Sequence, residues 1–328
     1  MSEKRYTNNA GIPLSMAVFL AVDHYDYVPG VISATSLLKP VRQYVLARRV
    51  PAGANIPDVE DLISSRMGTA IHDGVEKAWL KHYQQAMRDL GYPQKIIDRI
   101  RVNPDPATVV EGDIPVYMEI RSFKEVNGVK VSGKFDFVGN GALEDFKSTS
   151  TYTWINDTKD EDYVLQGSIY RWLNPDIITS DIFTIQFLFT DWSRAMTFRD
   201  PKYPPRRMMP RKFQLMSLAD TEAYVINRLN QIAQYIDAPD DAIPECTDKE
   251  LWRSDPEWKY YKNPKNKARS TKNFDNEAEA IARWQADGGT GEVVKIPGQV
   301  KACLYCPAYP VCKQKDRLID SGDLILDV

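Results

Sequence analysis

Two Asn-Gly pairs, Asn127-Gly128 and Asn140-Gly141, separate three short runs of strand character at residues 116–123, 131–138 and 143–149. Asn-Gly between such runs is a strong hairpin signal, because both residues accept the positive φ of a type I′ turn, whose twist matches the flanking strands. The middle of the chain is therefore expected to be an antiparallel meander. With Asn140-Gly141 as a two-residue turn, Gly139 pairs with Ala142, Val138 with Leu143, Phe137 with Glu144 and Asp136 with Asp145. Opposed residues share one face, with Cβ atoms about 5 Å apart. Alternation adds Lys147 to the face of Asp136 and Asp145, and sends Phe135, Phe137 and Phe146 to the other.

Two opposed carboxylates repel one another unless a cation lies between them. Hard oxygen ligands suit Mg²⁺ or Mn²⁺, which take carboxylates together with waters and phosphate oxygens. Such an ion lowers the pKa of a bound water and stabilises charge on a phosphodiester. A neighbouring lysine can orient or deprotonate that water, or hold a phosphate. The alternative is a solvated hairpin whose carboxylates pair with Lys134 and Lys147.

Other segments bear on that choice. Gly68-Thr69-Ala70-Ile71-His72 lies in a helical pattern at residues 58–90 that carries Val59, Leu62, Ile63, Val75 and Trp79. A small residue one turn before His72 leaves room for a close approach, and neutral imidazole is a common metal ligand. Gln166 and Tyr170, spaced i, i+4, share one face of a helix at residues 162–173. Alone, His72 reads as a structural histidine and the Gln–Tyr pair as a polar stripe. A helix carrying Leu37, Leu38, Val41 and Val45, a loop at residues 51–57, a strand at 182–190 and a helix at 217–235 complete a core of residues 1–245. Residues 246–328 form a C-terminal element, basic and irregular at its start.

In order, G-T-A-I-H (68–72), G-K-F-D (133–136), D-F-K (145–147) and Q-G-S-I-Y (166–170) resemble the motif series of the PD-(D/E)XK nuclease superfamily, in its RecB-like branch. The resemblance spans about residues 30–190. It implies an α/β restriction-endonuclease-like core, a mixed central sheet flanked by helices. It also implies a metal held by His72, Asp136, Asp145 and the Phe146 carbonyl, with Lys147 serving the water and Gln166 and Tyr170 supporting the site or the DNA strand. The second carboxylate is Asp145 where Glu is more usual, and Pro104-Asp105 is a P-D pair outside the hairpin. The implied activity is metal-dependent hydrolysis of DNA, single-stranded or at duplex ends, by an exonuclease of recombination, repair or phage DNA processing, with or without a recombination partner protein. The rivals are a CRISPR-adaptation-like trimming nuclease and a module that binds DNA ends without cutting.

Four cysteines, Cys246, Cys303, Cys306 and Cys312, all lie in the last third of the chain. So few in so long a chain, with Cys303 and Cys306 at metal-ligand spacing, imply a reducing, cytoplasmic compartment rather than disulfides. A Cys₄ set accepts either zinc or a [4Fe–4S] cluster. Cys-x2-Cys-x5-Cys resembles the iron–sulfur staple of AddB-type and CRISPR-adaptation nucleases, which implies a [4Fe–4S] cluster with Zn²⁺ as the alternative. Those families take their distant cysteine from a segment ahead of the nuclease motifs. The matching stretch here, residues 33–40, has none, so either Cys246 substitutes or the fourth ligand is something else.

A net charge of −3 argues against nucleic-acid binding by bulk charge. Local tracts remain. Residues 258–272 hold six basic residues, no acidic one and three aromatics, a composition suited to single-stranded DNA, and Lys202, Arg206, Arg207 and Arg211 add a second tract. No stretch is long and apolar enough to span a bilayer, and residues 11–22, which imitate a secretory signal, are interrupted by Pro13 and Ser15 and read as a buried strand or helix.

Overall fold

The computed structural model describes residues 5–22 and 28–326. Its helices are α1 (Leu14–Ala21), α2 (Ala34–Leu37), α3 (Val41–Ala47), α4 (Ile63–Asp89), α5 (Gln94–Ile97), α6 (Thr151–Asn156), α7 (Asp160–Leu173), α8 (Leu218–Tyr235), α9 (Glu277–Ala286) and α10 (Lys313–Asp320). Its strands are β1 (Val31–Ser33), β2 (Ile100–Val102), β3 (Ile114–Met118), β4 (Arg121–Val126), β5 (Val129–Lys134), β6 (Phe137–Gly139), β7 (Ala142–Thr149), β8 (Ile182–Phe189), β9 (Met208–Gln214), β10 (Glu257–Tyr261), β11 (Lys272–Phe274) and β12 (Glu292–Ile296). None of the described helices is long and apolar enough to cross a membrane. The chain forms two compact units: Met1–Leu38 with Ile56–Asn230, and Lys39–Asn55 with Gln231–Val328.

The first unit is a mixed α/β fold. Its six-stranded sheet has the order β2-β3-β6-β7-β8-β9, with β2–β3 and β7–β8 parallel and the other pairs antiparallel. A smaller sheet has the order β1-β5-β4. Both Asn-Gly turns form, with φ of 50° and 75° at Asn127 and Gly128 and 48° and 82° at Asn140 and Gly141. The second turn sets the register Phe137↔Glu144, Val138↔Leu143 and Gly139↔Ala142. The run 131–138, however, is two strands rather than one. β5 pairs with β4 and β1, whereas β6 pairs with β3 and β7. Asp136 therefore lies at the switch between sheets and outside the ladder, not in a cross-strand pair with Asp145.

The two faces of β7 are covered by different helices. On one, Trp79, Tyr83 and Met87 of α4 pack with Phe146 against Ile100, Val116, Met118 and Phe137. On the other, α7 approaches β8 closely. Three acidic residues in its first turn and Arg171 in its last complement the helix dipole. A Cβ at Gly167 would lie 2.6 Å from Phe183 Cδ1 and 2.9 Å from Leu215 Cδ2. Gly167→Ala is expected to lose about 1–3 kcal/mol to overpacking, offset in part by about 1 kcal/mol of helix propensity. Denaturant unfolding measures the net loss, and wild-type stability would mean that these neighbours yield freely. Gly68 is less demanding: its Cβ would meet Ser148 Oγ at 3.4 Å, an ordinary contact that alanine tolerates.

Several local expectations are revised. The helix anticipated across residues 37–45 is broken ahead of Pro40 into α2, capped by Ser33, and α3, and the unit boundary falls between Leu38 and Lys39. Residues 11–22 include α1, but Leu14 and Val18 on it stand in solvent. In the second unit the chain after Pro244 is not irregular. β11-β10-β12 form an antiparallel sheet covered by α9, around Tyr260, Phe274 and Ala280. Tyr260 and Tyr261 are buried, and Trp258 packs against that cluster with Lys295 over its ring. The aromatics of residues 258–272 are therefore core groups, not stacking platforms.

Candidate active site

α4 sets the position of His72. The histidine continues the face that carries Trp79 and Tyr83, so packing of those rings holds the imidazole against β7. Its Nε2 lies 3.1 Å from the Phe146 carbonyl, which can only accept, so Nε2 carries the proton. Nδ1 then faces two carboxylates, Asp136 Oδ1 at 3.4 Å and Glu119 Oε1 at 3.6 Å. One ligand atom from each of His72, Glu119 and Asp136 lies within 4.8 Å of the other two. Asp136 Oδ2 also accepts from the Phe146 N–H at 3.0 Å. That bond fixes the carboxylate of a residue outside the ladder.

Glu119 was not among the residues singled out from sequence. It follows β3 directly, at a positive φ of 53°, and its N–H donates to the Asp136 carbonyl at 3.2 Å. Its second oxygen pairs with Lys134 at 2.5 Å. The available signal was a lone carboxylate closing the apolar run Val116-Tyr117-Met118, which many strands share. Only the β3–β6 pairing brings it to Asp136.

Asp145 is fully buried and faces a second group. Its Oδ2 lies 2.5 Å from Lys147 Nζ, and Gln166 Nε2 stands 3.5 Å from Oδ1. Gln166 also donates to Tyr170 Oη at 2.8 Å, so the two members of the i, i+4 pair face this site together. Asp145 does not belong to the close His72–Glu119–Asp136 group, although the charges of the two aspartates are felt across the site. The structure thus brings His72, Asp136 and the Phe146 backbone together, and separately Asp145, Lys147, Gln166 and Tyr170, in adjoining sets along β7.

Electrostatics follow this division. Burial disfavours a charged His72, but Asp136 and Glu119 outweigh it and raise its pKa to about 10. Burial also works against Asp136, yet His72 and Lys147 hold it below the usual carboxylate range. Glu119 is lowered despite burial by His72 and Lys134. For Asp145, burial and the charge of Asp136 prevail over Lys147 and push it up to about 7. Lys147 is held above the ordinary lysine value, because Asp145 and Asp136 outweigh its burial.

A proton on His72 competes with a metal for Nδ1. Metal binding must release it, so Mn²⁺ affinity is expected to rise with pH between 6.5 and about 10, by up to tenfold per unit. Calorimetry in buffers of different ionisation enthalpy would count the proton, and a pH-independent affinity without proton release would exclude His72 as a ligand. In the metal-free fold the sign is opposite. The raised pKa contributes stability present in full below pH 6.5 and lost as pH climbs toward 10.

The four cysteines are free thiols of the second unit. Cys303 and Cys312 are buried, and Cys246 and Cys306 are half-buried. Burial first, then the charges of Glu250, Cys312 and Cys306, pushes Cys246 up to about 12; burial with Cys312 and Cys306 pushes Cys303 to about 11. Cys246 packs against the apolar cluster that includes Cys303. The four cysteines do not form a tight ligand set, since no three of their sulfurs lie within 4.8 Å of one another. A zinc tetrahedron with Zn–S near 2.3 Å would space them about 3.8 Å apart. Gln314 ties Cys246 to α10 through reciprocal bonds of 2.9 Å with its N–H and carbonyl. Buried Arg42 donates Nε–H to Cys312 Sγ at 3.3 Å and Nη1–H to the Asp240 and Ile243 carbonyls.

No family model matches this sequence, and no curated protein matches it. Among solved structures, SSO0001 is similar over 66% of this chain and 81% of its own, at 12% identity and a TM-score of 0.39. A phage related exonuclease from Haemophilus somnus 129PT is similar over 63% of this chain and 93% of its own, at 15% identity and a TM-score of 0.29.

Proposed function

We propose that this chain is a divalent-metal-dependent DNA nuclease of the RecB-like kind, acting as an exonuclease in recombination, repair or phage DNA processing. One observation carries the reading: a His–Glu–Asp ligand group and an Asp–Lys pair with its aspartate fully buried adjoin along one strand, β7. His72, Glu119 and Asp136 offer a nitrogen and hard oxygens suited to Mg²⁺ or Mn²⁺, with Asp145 and the Phe146 carbonyl alongside. A cation held there supplies a water of lowered pKa and neutralises charge on the scissile phosphodiester.

The chain's own residues do the rest. The His72 Nε2–H bond to the Phe146 carbonyl orients the imidazole and fixes its tautomer. Lys147, cationic well above neutral pH, presents N–H donors to a phosphate oxygen or the attacking water rather than serving as a base. Gln166 donates toward Asp145 and is itself held by the Tyr170 hydroxyl, which accepts from it. Glu119→Gln is expected to weaken Mn²⁺ binding by about 10- to 100-fold; unchanged titration would remove Glu119 from the ligand group.

We further propose that residues 1–245 supply the nuclease core and 246–328 a cluster-bearing element in which the four thiols take a [4Fe–4S] cluster, with Zn²⁺ as the alternative. The Cys-x2-Cys-x5-Cys spacing supports the cluster, and a buried guanidinium donates to one of the four sulfurs. Digestion of end-labelled linear and closed circular DNA tests the activity. Loss of label from linear DNA alone, in Mg²⁺ or Mn²⁺ but not EDTA and not in Asp136→Asn, is the expected result. Intact linear DNA under every condition would overturn it.

A further inference from the structure

The segment between β8 and β9, residues 190–207, is closed at its neck by the Phe189 N–H bond to the Arg207 carbonyl at 2.9 Å. Its interior is pinned. Trp192 Nε1 donates to the Pro204 carbonyl at 2.9 Å, and the buried Tyr203 hydroxyl accepts from the Ser193 N–H at 2.9 Å. It carries five basic residues, Arg194, Arg199, Lys202, Arg206 and Arg207, all exposed, and two acidic ones. The acidic pair is engaged: Asp191 accepts from the Thr151 N–H and hydroxyl, and Asp200 from the Lys202 N–H. Phe198, 81% exposed, lies in sequence between Arg194 and Lys202 and beside Arg199, and Tyr152 at the start of α6 is 64% exposed. Packing gives no reason for a pinned loop to hold a phenyl ring in water.

The loop also has an address. Thr190 N–H donates to the Thr149 carbonyl at 2.9 Å, and Thr149 is two residues beyond Lys147 on β7. Two residues of strand span about 7 Å, roughly the spacing of successive phosphates along an extended single strand. We propose that this loop is the track for single-stranded DNA leaving or approaching the hairpin site, with its arginines on phosphates and Phe198 and Tyr152 under unpaired bases. Rings that stack require bases free of a partner, which selects single-stranded over intact duplex DNA. The inference rests on the nuclease reading for its substrate, but binding can be measured without cleavage.

The test is anisotropy of a fluorescent twenty-residue oligothymidylate in EDTA, across a range of salt, with three forms of the full chain: wild type, Arg194→Gln/Arg199→Gln/Arg206→Gln, and Phe198→Ala. The triple variant is expected to bind at least about tenfold more weakly, with a log–log salt slope smaller by about 2, since three phosphate contacts are lost at about 0.7 each. Phe198→Ala is expected to lose about 5- to 100-fold at an unchanged slope, with little effect on blunt duplex. Wild-type affinity and slope in the triple variant, or no binding by wild type, would overturn the proposal. Binding as described by a wild-type protein that cleaves nothing in Mg²⁺ or Mn²⁺ would sustain the track and retire the nuclease. Cleavage by wild type with unaltered binding in both variants would do the reverse.

Discussion

Lys147→Met is expected to lower DNA cleavage by about 100- to 10,000-fold in a protein that still folds. The ammonium sits 2.5 Å from Asp145 and is charged at neutral pH, so methionine keeps the bulk and deletes both charge and donors. Removing one partner of a buried pair leaves the other uncompensated, at a cost of about 3–5 kcal/mol. Here Asp145 already titrates near 7 through burial and Asp136, and it can take up a proton instead. Without Lys147 its pKa rises further. A carboxyl whose folded pKa exceeds the ordinary 3.8 contributes stability that fades as pH rises through the folded value. The variant's loss of melting temperature should therefore be smallest near pH 5 and grow toward pH 8. A wild-type cleavage rate in folded Lys147→Met would remove the mechanism.

Cys306→Ser is expected to lower the melting temperature by roughly 10 °C, since ligation energy is folding energy and about 3–4 kcal/mol moves a domain of this size by that much. Cys306 lies between Cys303 and Cys312, and the turn that carries it is closed by the Cys306 N–H bond to the Cys303 carbonyl at 3.2 Å and the Tyr309 N–H bond to the Cys306 carbonyl at 3.0 Å. Protein prepared without oxygen should be brown and the variant pale. Colourless wild type holding stoichiometric zinc would replace the iron–sulfur assignment but leave the four-thiol site. Wild-type melting in the serine variant would show that the thiols bind nothing that the fold needs.

The β6–β7 register and the pairing of Gln166 with Tyr170 were legible in the sequence. Both depend on short-range rules. Asn140-Gly141 takes its turn conformation from its own backbone freedom, and i, i+4 spacing places two side chains on one helical face whatever the helix packs against. Two of the three residues expected on the aromatic face of the hairpin followed for the same reason, as Phe137 and Phe146 meet at 6.3 Å beside Trp79, whereas Phe135 is buried outside that cluster. Tertiary structure decided the rest. Asp136 left the ladder because β5 and β6 joined different sheets, an outcome set by which strands compete for each edge. Glu119 entered the site because β3 lies against β6. The rings of residues 258–261 turned inward because a small sheet and α9 had to bury a core of their own, which composition alone read as a stacking surface. Turn chemistry and periodicity act over a few residues and are written locally; sheet membership and the partner of a lone carboxylate depend on contacts between distant segments, which only the folded chain selects.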